Sequence, residues 1–246
     1  MADNIDVLCM MAHRDDAEII CGGTILKLKN QGYSVGIIDF SEGEMGTRGN
    51  AGERAIEAEC AAKILGVDER INLKYPDAHI ENTVENRRKV IEIIRKYKPY
   101  LIITHSTKNR NPDHTHTAGL VIESSFTSGL VKYDTGQETW RPKKILYSME
   151  YYDFEPDIII DISGHYERKM QAVTCYKSQL FDPESTENPT YIASDRFLNE
   201  MEARFRYYGS KIHCDYGEGF RLDMPVQVED LVKEVALRSQ IPGQGR

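Results

Sequence analysis

The chain has 246 residues, of which 40% are hydrophobic and 28% are charged, and its formal net charge at pH 7 is −8. This apolar content excludes a disordered chain, and no apolar run approaches the roughly 18 residues of a membrane-spanning helix. The acidic balance argues against nucleic acid or an anionic membrane as a partner. The length favours one large domain with a sizeable core over residues 1–246.

The N-terminus and the cysteines predict a cytoplasmic protein. The first residues carry acids where a signal peptide would carry lysines, and the short apolar run that follows ends in charge. Five scattered cysteines without a CxxC pair favour reduced thiols over a disulfide framework. Cys9, Cys21 and Cys60 lie in apolar stretches and are expected to be small buried side chains, and the other two are Cys175 and Cys214.

Apolar runs alternate with segments of helical period through the first half of the chain. A continuous apolar run such as Val7–Ala12 is typical of a strand buried on both faces. Strands that alternate with helices require crossover connections, which predict an α/β fold with an open, mostly parallel sheet and helices on both faces. The predicted strands are Val7–Ala12, Ser34–Phe40, Arg70–Leu73 and Tyr100–Thr104, and the predicted helices are Glu18–Gln31, Glu53–Leu65, Val84–Tyr97 and Thr115–Thr127.

The second half is less regular and predicts an α+β part of the same domain. The polar segment Phe181–Thr190 is either a mobile flap or a solvated connection, and we favour the connection. The glycines of Cys214–Phe220 indicate a tight turn, and residues 241–246 are expected to form a disordered tail. The predicted strands of this half are Lys144–Met149 and Asp157–Ile162, and its predicted helices are Tyr166–Leu180 and Arg196–Tyr208.

Metal-ligand and acid–base side chains follow each of the first four strands. In open parallel sheets, ligands bind beyond the carboxyl ends of the strands, where the strand order reverses. The first and fourth strands are neighbours there in common doubly wound orders, so His13 and its adjacent carboxylates should approach His114 and His116. Two imidazoles and a carboxylate form a site for a catalytic divalent metal, most often zinc. Acids after a strand also cap helices, however, and Asp113 or Thr115 is equally an N-cap candidate.

The sequence lacks the signatures of several other enzyme classes. Gly22 and Gly23 do not form a GxGxxG fingerprint, and there is no Walker motif and no GxSxG elbow. His79 and His165 are expected at the surface or in local hydrogen bonds. His213 precedes the glycine-rich segment and could reach the site, although most such histidines are structural or exposed.

Two segments together indicate a family. Met11–Ile25 reads MAHRDDAEIICGGTI and resembles the AHPDDxE signature of the PIG-L/LmbE-like zinc-dependent N-acetylglucosamine (GlcNAc) deacetylases, and Arg110–Leu120 resembles their second signature, HPDHxxxG. Asp157–Gln179 and Asp215–Leu222 resemble the subgroup that deacetylates GlcNAc-malate in bacillithiol synthesis. The resemblance covers nearly the whole chain. It implies a Rossmann-like, LmbE-like domain with the metal site in residues 1–130 and a substrate pocket completed by residues 131–240.

The resemblance also implies the roles of the residues in the two signatures. His13, Asp16 and His114 would hold Zn²⁺ or another divalent transition metal such as Fe²⁺. Asp15 would be the general base that activates water for attack on the acetamide. Asp113 would support a neighbouring histidine through a hydrogen bond.

Substrate contacts follow from the same resemblance. The implied substrate is a small amino-sugar conjugate, which is hydrolysed to acetate and a free amine. Arg54 would bind a polar or acidic aglycone, with Arg110 as a further candidate. Glu57 would brace Arg54, and Asp77 would meet sugar hydroxyls.

Two positions depart from the family signatures. Arg14 replaces a proline and brings a cation near the site. Asn111 replaces a histidine that is thought to stabilise the oxyanion or to protonate the leaving amine, and asparagine can donate a hydrogen bond but not a proton. Asp15 then acts first as base and later as acid, or His105 or His213 supplies the proton, or the activity is weak or altered.

Other functions compete with this interpretation. The substrate could instead be an inositol-linked GlcNAc, a chito-oligosaccharide or an antibiotic precursor. A non-catalytic, metal-containing sugar-binding protein would explain Asn111, and a metal-dependent phosphoesterase would explain the His/Asp clustering alone. A homo-oligomer is compatible with Tyr147, Tyr151 and Tyr152, although tyrosines also pack in ordinary cores.

Overall fold

One seven-stranded sheet organises the fold in a computed structural model that describes residues 4–150 and 155–236. Its strands are β1 (Val7–Met11), β2 (Val35–Ser41), β3 (Glu69–Tyr75), β4 (Leu101–Thr104), β5 (Lys144–Ser148), β6 (Ile158–Asp161) and β7 (Gly217–Leu222). They lie in the order β3-β2-β1-β4-β5-β7-β6. The first five run parallel, and β7 runs antiparallel to both β5 and β6. The predicted α/β fold with a mostly parallel sheet is confirmed.

Helices cover both faces of the sheet. Side chains of β1 alternate between two apolar clusters: Cys9 and Met11 join one, and Leu8 and Met10 join the other. The first cluster is covered by α1, α2 and α5, and the second by α3 and α4. The helices are α1 (Asp16–Asn30), α2 (Ala51–Leu65), α3 (Val84–Tyr97), α4 (Pro112–Thr127), α5 (Tyr166–Val173) and α6 (Phe197–Lys211), with a 3-10 turn at Ser163–His165 and a π turn at Val232–Ala236.

The start of α4 differs from the prediction. The helix begins at Pro112, three residues before the predicted Thr115, because the Asn111 side chain accepts a hydrogen bond from the backbone N–H of Asp113 at 3.0 Å. Proline suits the first helical position, where its missing N–H costs nothing. Asn111 is therefore the N-cap, and neither Asp113 nor Thr115 is.

The glycines near the C-terminal end do not form the predicted tight turn. Gly217 and Gly219 belong to β7, whose existence the sequence analysis missed. A Cβ atom on Gly217 would lie 2.9 Å from the backbone nitrogen of Gly209 in α6. The glycines therefore allow the strand to pass close to a helix. The helix predicted over Tyr166–Leu180 is also shorter, because α5 ends at Val173.

A buried ion pair connects β7 to α1 and α5. The Glu218 carboxylate accepts hydrogen bonds from the backbone N–H groups of Gly23 and Thr24, at 3.0 and 2.7 Å, and from Lys169 Nζ at 2.6 Å. The two N–H groups follow a break in α1 at Cys21, where φ is −133°. Burial lowers the pKa of Lys169, although Glu218 opposes the shift. The Glu218 carboxylate of β7 thus accepts hydrogen bonds from backbone N–H groups at the break in α1.

We predict that Glu218→Ala lowers the free energy of unfolding by about 3–5 kcal/mol, because it leaves a buried ammonium and two N–H groups without their acceptor. Urea denaturation measures the loss. Glu155→Ala is the matched control, since it removes an exposed partner of Lys211 and should cost less than about 1 kcal/mol. Equal small losses in the two variants would contradict a stabilising role for the buried pair.

The cysteine prediction is only partly correct. Cys9 and Cys21 are buried as expected, but Cys60 is exposed and forms a disulfide with Cys175, with Cα atoms 6.1 Å apart. The bond joins α2 to the segment after α5 across 115 residues of sequence. Packing of α2 against α5 brings the two thiols together, and nothing in their local spacing indicates this.

Some predictions concern residues that the structure does not describe. Tyr151, Tyr152 and the expected tail at residues 241–246 lie outside the described ranges. Tyr147 is half-buried and packs against the core on the α3–α4 face of the sheet. Within residues 4–150 and 155–236, no helix has the length and apolar character needed to cross a membrane.

Candidate metal centre and active site

The loops that follow β1 and β4 meet because these strands are parallel neighbours. Met10 of β1 pairs with Thr104 of β4, so the carboxyl ends of both strands lie at one edge of the sheet. The loop after β1 carries His13, and the first turn of α4 carries His114. This edge is also where the strand order reverses, the usual position of a ligand site in such sheets.

Three potential metal ligands converge at this edge. His13 Nδ1 lies 3.2 Å from His114 Nε2 and 3.4 Å from Asp16 Oδ2, and His114 Nε2 lies 3.4 Å from Asp16 Oδ1. Ligand atoms bound to a tetrahedral zinc at about 2.0–2.1 Å are separated by about 3.3–3.4 Å. The three side chains therefore fit a divalent metal with at least one position left open.

Hydrogen bonds on the far side of each imidazole fix its orientation. His13 Nε2 lies 3.1 Å from Asp77 Oδ1, and His114 Nδ1 lies 2.5 Å from Glu150 Oε2. Asp113 Oδ2 lies 3.7 Å from His13 Nε2, which is too far for a hydrogen bond but places a further negative charge beside the ring. These nitrogens carry the proton that the carboxylates accept. The lone pairs of His13 Nδ1 and His114 Nε2 are thereby directed at the same point, as a metal requires.

The charges around the cluster support cation binding. Burial opposes protonation of His13, but the surrounding carboxylates outweigh it and raise its pKa well above the ordinary value. Burial also opposes ionisation of Asp16, but His114 and His105 lower its pKa well below the ordinary value. A metal that binds here displaces a proton from the His13 imidazole, so its binding strengthens as pH rises.

Glu150 is a site residue that the sequence analysis missed. Its buried carboxylate accepts hydrogen bonds from His114 Nδ1, from His105 Nδ1 and, at 2.6 Å, from Asn109 Nδ2. Burial opposes its ionisation, but the two imidazoles outweigh burial and lower its pKa. Glu150 lies just after β5. The polar residues after the first four strands are recognised as candidates, and the same criterion applied to the fifth strand identifies Glu150.

Asp15 stands beside the cluster and is paired with Arg54. The Arg54 guanidinium donates to Asp15 Oδ1 at 3.1 Å and to the carbonyl of Gly43 at 3.3 Å. Asp15 occupies the N-cap position of α1, yet its side chain makes no capping hydrogen bond. The carboxylate faces the cavity instead, where a substrate or a water molecule can meet it.

Arg70 supports the loop that carries these residues. Its guanidinium bridges Asp39 and Glu18 and also donates to the carbonyl of Arg14, which accepts a second hydrogen bond from the hydroxyl of Tyr176. Burial raises the pKa of Glu18 to about 7, although Arg70 opposes the shift. Two donors on one carbonyl hold the turn between His13 and Asp16 in place.

A cavity of about 330 Å³ opens beside the cluster. The potential ligands and Asp15 form its polar part, and Asn111 lines it as well. Asn111 Oδ1 is occupied by the capping hydrogen bond, so its Nδ2 is the atom available to a ligand. An apolar wall of Phe197, Met201 and Phe205 completes the enclosure.

Comparison with known proteins assigns the family. A model of the PIG-L (GlcNAc-PI de-N-acetylase) family matches residues 8–125. The diacetylchitobiose deacetylase of Thermococcus kodakarensis is 30% identical over 227 residues, which cover 87% of this chain and 82% of that protein. The chain belongs to the PIG-L family. It is therefore an enzyme of the deacetylase class, which hydrolyses N-acetyl amides.

Solved structures of similar proteins share the fold. The conserved protein TT1542 from Thermus thermophilus has a TM-score of 0.83 and 31% identity, with 91% of this chain and 97% of that chain covered. The N,N'-diacetylchitobiose deacetylase from Pyrococcus horikoshii has a TM-score of 0.78 and 30% identity, with 89% and 83% covered. The PIG-L architecture thus extends through both halves of the chain.

The first departure from the PIG-L signatures lies outside the cavity. The Arg14 side chain donates to the carbonyl of Ala51 at 2.6 Å and to Glu42 at 3.3 Å, and Arg14 is not among the described cavity-lining residues. The cation that replaces the signature proline is thereby neutralised on the neighbouring loop. The cation therefore lies near the site, as expected, but its guanidinium bonds the neighbouring loop and does not line the described cavity.

Several other predicted contacts also differ in the structure. Glu57 accepts hydrogen bonds from the backbone N–H and the hydroxyl of Ser178, both at 2.7 Å, and does not brace Arg54. Asp77 lines the cavity but is already bonded to His13 and to the backbone N–H of Met45. Its carboxylate therefore orients a potential metal ligand. Arg110 lies beside the ring of Tyr191, 5.6 Å from its centroid, and is absent from the described cavity lining.

The remaining histidines do not face the cavity. His105 is fully buried, and its Nε2 accepts a hydrogen bond from the backbone N–H of Ala12 at 2.9 Å. His213 follows α6 and is exposed, and His116 is exposed on α4. None of the three is among the described residues that line the cavity.

We predict that Glu150→Gln weakens metal binding by roughly 10- to 100-fold, because an amide cannot accept hydrogen bonds from both imidazoles and leaves His114 less well oriented. Competition with a chromophoric chelator measures the affinity for zinc. Glu123→Gln, which alters a surface carboxylate paired with Arg87, is the control and should bind zinc normally. Unchanged affinity in Glu150→Gln would show that Glu150 does not position His114.

Proposed function

We propose that this protein is a zinc-dependent de-N-acetylase of a small GlcNAc conjugate, and that a GlcNAc-malate-like compound is its substrate. The observation that carries the proposal is the convergence of His13, Asp16 and His114 beside the Arg54-paired carboxylate of Asp15 in one cavity. Diacetylchitobiose, the substrate in the names of two relatives, supports a GlcNAc-type sugar.

His13, Asp16 and His114 would hold the metal. A bound zinc ion would supply Lewis-acid polarisation of the acetamide carbonyl and would acidify water toward a pKa of about 7. The buried carboxylates of Asp77 and Glu150 keep the two imidazoles in the required orientation. His13, Asp16 and His114 all line the same cavity as Asp15.

Asp15 moves the protons in the proposed reaction. Its carboxylate takes a proton from water as the water oxygen attacks the acetamide carbon. Arg54 holds the carboxylate in position, and Asn111 Nδ2 donates a hydrogen bond to the oxyanion. Protonated Asp15 then delivers the proton to the sugar nitrogen as the C–N bond breaks, which releases acetate and the amine. The absence of His105 and His213 from the described cavity lining supports this dual role.

The cellular context remains part of the proposal. Resemblance to the bacillithiol subgroup supports a cytoplasmic enzyme, while the Cys60–Cys175 pair is a feature more typical of oxidising compartments. A homo-oligomer stays a prediction.

We predict that the zinc-loaded protein releases acetate from GlcNAc-malate when it is tested on a panel that also contains GlcNAc, GlcNAc-inositol and diacetylchitobiose. Asp15→Ala should lower turnover by roughly 10²- to 10⁴-fold, because water then lacks its base, while zinc stays bound. Acetate release and metal content measure the two effects. Unchanged turnover in Asp15→Ala would refute its role. Sugar binding without acetate release would favour the non-catalytic alternative.

We predict that His114→Ala loses zinc and His116→Ala retains it. The two histidines are two residues apart on α4, but His114 faces Asp16 and His13, whereas His116 is exposed. Atomic absorption after dialysis measures the metal content of both variants. Full occupancy in His114→Ala would show that the ligand is wrongly assigned.

A further inference from the structure

The face of α6 that borders the cavity carries an unexpected cation. Phe197, Met201 and Phe205 recur every four residues, so they form one apolar face of the helix that lines the cavity. Arg204 lines the same cavity beside them and is half-buried. Nothing in the sequence marks Arg204 as a site residue, because an arginine on an amphipathic helix is usually solvated.

Arg204 differs from the other arginine of the cavity lining. Arg54 is buried, and its charge is balanced by Asp15 at 3.1 Å. Within residues 4–150 and 155–236, no carboxylate lies within ion-pair distance of the Arg204 guanidinium. Arg206, two residues along the helix, is exposed and paired with Glu202 at 2.8 Å. The charge of Arg204 is thus available to a ligand in the cavity.

A second guanidinium lies near the same part of the cavity. Burial and the hydrogen-bonded Glu200 raise the pKa of Tyr191, and the charges of Arg204 and Arg110 partly offset this effect. The guanidinium carbon of Arg110 is 5.6 Å from the centroid of the Tyr191 ring, and Tyr191 itself lines the cavity. Two guanidinium groups and the Glu200 carboxylate, which accepts a hydrogen bond from the Tyr191 hydroxyl at 2.8 Å, therefore lie around Tyr191.

We propose that Arg204 forms an anion-binding subsite that selects substrates with a carboxylate on the aglycone. This inference rests on the proposed function and assigns a specificity-determining residue to the same cavity. The planar guanidinium can bind a carboxylate through two parallel hydrogen bonds. The apolar side chains of Met201 and Phe205 lower the local dielectric constant, which strengthens this attraction.

The test separates charge recognition from packing. Arg204→Met keeps most of the apolar stem and removes the charge, whereas Arg204→Lys keeps the charge without the planar donor pair. The substrates are GlcNAc-malate and its diamide, which has nearly the same shape and no negative charge. Arg206→Met is the matched control, because it removes an exposed arginine from the same helix.

The wild-type enzyme should prefer GlcNAc-malate to the diamide. Arg204→Met should lower kcat/KM for GlcNAc-malate by roughly 10- to 100-fold, mainly through KM, and leave the diamide unchanged. Arg204→Lys should lie between the two, and Arg206→Met should match the wild type. Added salt should raise KM for GlcNAc-malate in the wild type more than in Arg204→Met.

Two results would overturn the subsite. One is an equal loss on both substrates in Arg204→Met, which would indicate a packing role. The other is equal kcat/KM for the two substrates in the wild type. If the zinc-loaded wild type cleaves neither these compounds nor GlcNAc, GlcNAc-inositol or diacetylchitobiose, the proposed function itself fails.

Discussion

The parallel pairing of β1 with β4 is the constraint on which the rest of the site depends. Hydrogen bonds between the two strands fix where both chains leave the sheet, and His13 and His114 reach each other only because these exits coincide. Helix α1 then starts within three residues of His13, which brings Asp16 to the same point. A change of register between the strands would move the two imidazoles apart and also reverse which β1 side chains meet each apolar cluster.

Buried charge surrounds the three potential ligands, and almost every charge has a partner. Glu150 accepts from two imidazoles and an amide, and Asp77 bonds both His13 and a backbone N–H. Arg70 forms ion pairs with two carboxylates and also donates a hydrogen bond to the carbonyl of Arg14, in the loop that carries the potential ligands. Such networks hold side chains in one arrangement, because an unpaired member would carry the full cost of desolvation. The ligands are therefore oriented before any metal binds.

Local patterns in the sequence were sufficient for the parallel half of the fold and for the polar residues at the strand exits. Val84–Tyr97, for example, is a helix with the bounds predicted from its apolar period and the following proline. The features that were missed depend on distant partners. Glu218 bonds an N–H group 195 residues away, and Cys60 meets Cys175 across 115 residues. No sequence spacing predicts either contact, because only the packing of the helices and the sheet brings the partners together.

Asn111 serves the helix and the cavity through opposite ends of one amide. The oxygen fixes the start of α4, and the nitrogen is left for a ligand. Serine or aspartate would also cap the helix, with little change in stability, but neither offers the same amide donor. Replacements of Asn111 can therefore keep the protein folded and still remove the amide donor from the cavity. A screen that reads only solubility or melting temperature would therefore retain variants that lack the amide donor at this position.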